Sequence, residues 1–180
     1  MLLCLFVLGC GKPKEDVAKY PVFTLLWSEY PSWSAFDVAG SMKIINPEEG
    51  APYSMIENQY GVDIVLKRRD YLQSLKEYAS GLTDAVCVTN IDCLNLVKGR
   101  QSTAILPTST SYGADGILAR TKSIQDLKKI VTYGAEDSVS EYVFYRGLEK
   151  AGEDPKEYQF KHMEPDAAAI ALQNGDEKSD

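Results

Sequence analysis

Between Pro21 and Gly175 short apolar runs alternate with polar breaks, and the period inside the runs keeps changing. PVFTLLW is almost continuously apolar, as a strand buried on both faces should be. GVDIVLK alternates apolar and polar residues and predicts a second strand; TDAVCVTN predicts a third. Between these runs the period becomes helical. Ser34-Ala35-Phe36-Asp37 reads as a helix start, a hydroxyl cap with an acid three residues on. Asp70-Tyr71-Leu72-Gln73 opens another helix, with Leu72, Leu75 and Ala79 on one face and Gly81 as its stop. Asn90 caps a short helix containing Leu94 and Val97, closed by Gly99. STAILP is expected to be a strand ending at Pro107.

After Pro107 the chain reads PTSTSYGADGI, and then the same grammar resumes. GILAR predicts a strand, SIQDLKK a short helix and KIVTYG a strand. Ser138-Val139-Ser140-Glu141 has the form of a capping box before YVFYRGLEKAG. EYQFKHM predicts a last strand, and Asp166 a cap for AAAIALQNG, with Gly175 as its stop. Strands alternating with helices imply parallel sheets covered by helices, an α/β fold. In such sheets ligands bind beyond the carboxyl ends of the strands. Those ends carry Trp27, Ser28, Glu29, Tyr30 and Ser32; then Thr89, Asn90 and Asp92; then Ser109, Thr110, Ser111 and Tyr112; then Ser138, Ser140 and Glu141. Aromatic faces beside hydroxyls, amides and carboxylates suit a small-molecule cleft.

Composition narrows the functions. The chain has 180 residues, a net charge of -7 and 44% hydrophobic residues. An acidic chain repels phosphate backbones, so no nucleic-acid partner is expected. No apolar run reaches the ~20 residues of a membrane-spanning helix. The start, MLLCLFVLGCGKPKED, resembles a bacterial lipoprotein signal. Residues 1–10 would be the signal, Cys10 the lipidated residue and residues 11–20 a linker; the alternative is a frayed apolar terminus with an incidental cysteine. Of the remaining cysteines, Cys87 fits a buried strand position. A Cys87–Cys93 disulfide stays open. His162 stands alone, without metal-ligand spacing and without a neighbouring nucleophile, so no metal, cofactor or enzymatic activity is expected. Lys67-Arg68-Arg69 reads as a solvated strand end.

In their order these features resemble the solute-binding proteins of ABC importers, in the class that includes nitrate, taurine/sulfonate and thiamine-precursor binders. The resemblance rests on Trp27-Ser28-Glu29-Tyr30 after the first strand and on Gly81-Leu82-Thr83-Asp84-Ala85, similar to the pattern G-x-x-D-A. It continues through Ser109 to Ile117, a crossover, and Ile124-Gln125-Asp126-Leu127-Lys128, similar to I-x-D-L-K. Asp137 to Tyr142 and Asp166 to Gly175 complete the series. The resemblance implies a two-lobe, periplasmic-binding-protein-like fold: lobe one over residues 21–107, a hinge over 108–116, and lobe two over 117–180. The family pattern continues past Gly175, so the resemblance implies an incomplete second lobe here. Gly113 and Gly116 would absorb the hinge's dihedral change, and the hydroxyls between Ser109 and Ser111 would face the cleft; the alternative is an ordinary loop bonding its own backbone. The implied partners are a small-molecule ligand, an ABC permease and, through the lipid, a membrane. No Lys or Arg lies in the four ligand loops, which favours a neutral or weakly cationic, partly flat ligand. For Trp33, ligand stacking and core packing weigh equally. A ligand-sensing effector domain of the same fold, or a non-functional truncated fragment, are the alternatives.

Overall fold

A computed structural model describes residues 20–48, 52–96 and 98–175. The signal reading, Cys10 and Val97 lie outside them. The fold is mixed α/β with small parallel sheets. Strand β1 (Val22–Trp27) is the centre of a three-stranded sheet, flanked by β2 (Asp63–Arg68) and β3 (Ala85–Val86). Both pairings are parallel, with Val22 opposite Asp63 and Leu26 opposite Val86. A second sheet pairs β4 (Val131–Gly134) with β5 (Gln159–His162), again parallel, with Val131 opposite Gln159. The helices are α1 (Ser34–Ser41), α2 (Met55–Tyr60), α3 (Tyr71–Ala79), α4 (Asn90–Leu96), α5 (Val139–Lys150) and α6 (Pro165–Asn174), with 3-10 turns over Pro31–Trp33, Ile124–Lys129 and Pro155–Glu157.

Each sheet has its own core. Around β1 the buried cluster is Trp27, Trp33, Tyr71 and Cys87, with Phe36, Leu66 and Leu75 packed against it. Around β4 and β5 it is Leu127, Phe144, Leu148 and Tyr158. Removing this apolar surface from water is the main stabilising term on both sides.

Several local expectations shift by one residue. Helix α1 is capped by Trp33, and the Ser34 hydroxyl instead donates to the Pro31 carbonyl at 2.8 Å. In α3 the buried stripe is Tyr71, Ser74 and Tyr78 rather than Leu72, Leu75 and Ala79, of which Leu72 and Leu75 are half-buried. Within α4, Leu96 is buried and Leu94 is exposed. Glu164 precedes α6, with Pro165 at its first position, so Asp166 is inside the helix. Gly175 does stop α6 in the left-handed region, where Arg120 donates to the carbonyls of Leu172 (2.5 Å) and Gln173 (3.1 Å).

Two expected strands are not strands. STAILP and GILAR have no regular structure, and residues 103–120 are exposed throughout. A β-branched run needs a neighbouring strand to complete its hydrogen bonds, and among the described residues none lies beside these two. TDAVCVTN shortens to Ala85–Val86, with Asp84 N and Cys87 N still donating to the Thr24 and Leu26 carbonyls of β1 on either side.

One helix was not anticipated. Helix α2 carries a complete capping box: Ser54 Oγ accepts from Glu57 N at 3.3 Å, and Glu57 Oε2 accepts from Ser54 N at 2.7 Å. The same carboxylate accepts from Asn46 N (3.3 Å) and Ile64 N (3.0 Å), joining α2 to the start of β2. Burial pushes the Glu57 carboxyl up, but these donors outweigh it and hold it below the usual range.

Candidate functional site

Because β1 and β3 run parallel and side by side, their carboxyl ends open onto one rim. Ser28, Glu29 and Tyr30 leave β1 there; Thr89, Asn90 and Asp92 follow β3. Asp92 is the centre of this rim and is only 1% exposed. Its Oδ2 accepts from the Tyr71 hydroxyl at 2.6 Å and from Thr89 Oγ1 at 2.7 Å. The Tyr71 oxygen in turn accepts from Thr89 N at 3.1 Å. Thr89 Oγ1 accepts from Asp92 N at 3.3 Å, so Thr89 takes the capping role expected of Asn90. Asn90 is exposed, and its side-chain oxygen accepts from the adjacent Ile91 N. Sequence reasoning missed Tyr71, whose hydroxyl carries the network; its position directly after the cap Asp70, on the rim side of α3, was the available signal.

The second sheet reaches the same carboxylate. Val139 N, in the first turn of α5, donates to Asp92 Oδ2 at 3.3 Å. A carboxylate at a helix N-terminus is favoured by the free N–H groups and the helix dipole. Ser138 is buried and positions that turn: its Oγ donates to Ala135 O at 2.6 Å and accepts from Ser140 N at 3.1 Å. Glu141 does not close the expected box on Ser138. Its Oε2 accepts from Asp137 N at 2.7 Å, one residue earlier, where Asp137 adopts φ 54°. Aspartate tolerates that left-handed conformation better than most residues.

Tyr30 stands beside this network. Burial raises its phenol to about 12, against the lowering effect of the nearby Ser140 side chain, and the negative charges of Asp92, Glu29 and Asp115 add to the rise. Burial and donation to Asp92 push the Tyr71 phenol further in the same direction.

The aromatics divide sharply. Trp27 is 7% and Trp33 4% exposed; both are packed into the core around β1. Tyr30 packs on Trp33 (centroids 4.8 Å) and on Tyr71 (4.9 Å) and stays half-buried, so its ring is the one beside the rim. Ser32 is also half-buried. The hydroxyl series departs from expectation. Ser109, Thr110, Ser111 and Tyr112 are exposed, Tyr112 by 97%, and none is among the groups bonded to Asp92. Only Gly113 of the two hinge glycines has a left-handed φ.

Three buried polar atoms on the rim have no hydrogen-bond partner among the described residues: Ser28 Oγ, Glu29 Oε1 and Asp92 Oδ1. Leaving such atoms unpaired is costly, and each needs a physical explanation. Beside Asp92, a hollow of about 200 Å³ opens between α3 and α4, bordered by Leu75, Asn95, Leu96 and Asp137. A second, of about 260 Å³, is bordered by Leu72, Glu136, Asp137 and His162. Lys76 borders both. Among the described residues no His, Cys, Asp and Glu groups gather into a metal-holding cluster, and Cys87 and Cys93 are free thiols.

Compared with protein-family models, with curated proteins and with solved structures, the chain shows no significant match.

Proposed function

We propose that this chain is the extracytoplasmic solute-binding component of an ABC importer, with a periplasmic-binding-protein-like two-lobe fold. It would be anchored to the membrane through a lipidated Cys10 and would deliver a small polar, partly flat organic ligand to a permease. The ordered sequence resemblance supports this reading, as do the two parallel sheets with separate cores.

The observation that carries it is Asp92. It is buried, it is held by donors from α3, from the turn after β3 and from the first turn of α5, and it keeps one oxygen without a partner, as Ser28 and Glu29 do. A site of this kind links ligand binding to the relative position of two units, which is what sequestration by closure requires. The residues proposed to contact ligand are Ser28, Glu29, Tyr30, Thr89, Asp92 and Ser140. The test is a thermal-melt screen of the full chain against pyrimidines, amides, polyamines, sulfonates and nitrate. A ligand that binds only the folded state adds about 2.7 kcal/mol of stability at 100 times its dissociation constant. A shift confined to one chemical class supports the reading, and a panel without any shift overturns it. For the anchor, a Cys10→Ser chain should leave the membrane fraction; one that stays there defeats that part.

A further inference from the structure

The proposed binding reading leaves the ligand's charge open, and the rim bears on it. The three unpartnered atoms are two carboxylate oxygens and a hydroxyl, and two of the side chains, Ser28 (0%) and Asp92 (1%), are buried. A carboxylate oxygen can only accept, so a partner for Asp92 Oδ1 or Glu29 Oε1 must donate. The charges acting on the neighbouring Tyr30 phenol are all negative: Asp92, Glu29 and Asp115. Lys76 borders the hollow beside Asp92 together with Asp137, and borders the second hollow with Asp137 and Glu136, so carboxylates outnumber it in both. A metal ion does not fit, since no three ligating side chains converge among the described residues. An anion would face carboxylates with one helix N-terminus already engaged by Asp92. The half-buried Tyr30 ring adds a π-face that attracts cations.

Resting on the binding role proposed above, we infer that the ligand is an organic cation, whose protonated amine or amidine donates to Asp92 Oδ1 and Glu29 Oε1 while its flat part lies against Tyr30. Ser28 Oγ, able to donate or accept, would complete the set.

Three flat isosteres test the charge directly. The full chain is titrated with benzamidinium, benzamide and benzoate, by calorimetry and by thermal melting, alongside the wider panel. Benzamidinium should bind and raise the melting temperature, with benzamide and benzoate at least about tenfold weaker. Asp92→Asn should remove the preference for the cation. Should that variant fail to fold, Glu29→Gln, on a half-buried side chain, carries the test, with benzamidinium weakened about fivefold or more and benzamide unchanged. Benzamide or benzoate binding as well as benzamidinium overturns the cation inference and leaves the binding role standing. So does a panel in which only neutral or anionic compounds shift the melt. A panel with no shift at all overturns both.

Discussion

Two stretches of this chain have nearly the same chemistry and opposite fates. Thr89-Asn90-Ile91-Asp92 and Ser109-Thr110-Ser111-Tyr112 are both rich in groups that form hydrogen bonds, and both are expected on sequence to face a ligand. The first is buried at Asp92 and tied to Tyr71, Thr89 and Val139. The second is exposed from end to end. The difference lies in what precedes them. The first follows Ala85–Val86, which pairs with β1 and fixes where the next residues point. The second follows STAILP, which pairs with nothing among the described residues and therefore fixes nothing. Composition marks polar loops, but a paired strand decides which of them becomes a site.

The largest effect that separates the two stretches should come from Asp92→Ala. It leaves the Tyr71 hydroxyl, Thr89 Oγ1 and Val139 N without their shared acceptor. We expect a loss of about 3 kcal/mol, since each buried donor left unpaired carries a penalty. Asp115→Ala, in the exposed segment, should stay within about 0.5 kcal/mol of the parent. Denaturant midpoints at unchanged slope measure both. Equal losses would erase the contrast.

The two S-x-x-E sequences that sit at helix starts give a second comparison. Ser54–Glu57 forms the full reciprocal box, whereas Ser138–Glu141 is displaced by one residue toward Asp137. Only Glu57 gathers three backbone N–H donors, from Ser54, Asn46 and Ile64. Glu57→Gln puts an amide among those donors and should cost about 2 kcal/mol. The sign of its pH dependence follows from the depressed carboxyl. The unfolded chain takes up the proton first, so this stabilisation is present above the usual carboxylate range and fades as pH falls through the folded value. A wild-type chain that gains stability on acidification relative to Glu57→Gln would contradict it. Ser138→Ala should cost less, about 1 kcal/mol, the ordinary value of a cap.

Tyr71→Phe removes one donor to Asp92 and keeps the ring in the core; we expect about 1.5 kcal/mol. Alkaline titration followed by phenolate absorbance gives an independent view. Tyr30, raised to about 12, stays protonated in the folded chain while an unfolded tyrosine ionises near its ordinary value of 10. Stability from Tyr30 is thus complete below pH 10 and is lost as pH rises toward 12. Tyr30→Phe should flatten that alkaline decline.

How much of this was legible beforehand follows from the same physics. The long apolar or alternating runs were: VFTLLW and DIVLKR became β1 and β2, and the parallel α/β class followed from their order. So were the stops at Gly81 and Gly175, where a left-handed residue ends a helix. The expected order also held for Tyr30, Thr89, Asp92, Ser138 and Ser140, each of which follows a paired strand in the chain. What failed were properties that depend on a distant partner. STAILP and GILAR satisfy strand propensity, yet sheet formation needs a neighbour that propensity does not describe. Trp27 satisfies stacking chemistry, yet it packs with Trp33, Tyr71 and Cys87 in the core; for Trp33 core packing is one of two readings of equal weight on sequence, and it is the one the structure shows. Helix α2 was missed although Ser54, Glu57 and Gly61 mark its start and stop, because its six residues carry too little apolar period to register.

The smallest expected effect is also the most direct check on the exposed stretch. Replacing Ser109, Thr110 and Ser111 together with alanine removes three hydroxyls that bond none of the Asp92 network. Stability should change by less than about 0.5 kcal/mol, the usual range for surface positions. The backbone around them should also be the first part of the described chain to be cut by a low dose of protease, since exposed segments outside regular structure open at little free-energy cost. Tyr112, 97% exposed, and Leu118, 83% exposed, provide side chains a chymotrypsin-like protease accepts. A ligand that engages Asp92 alone would leave that cleavage rate unchanged. A ligand that slows it would bring the segment onto the rim, and the hydroxyls of Ser109 to Ser111 would then belong to the bound state even though they stand apart from the site in the present one.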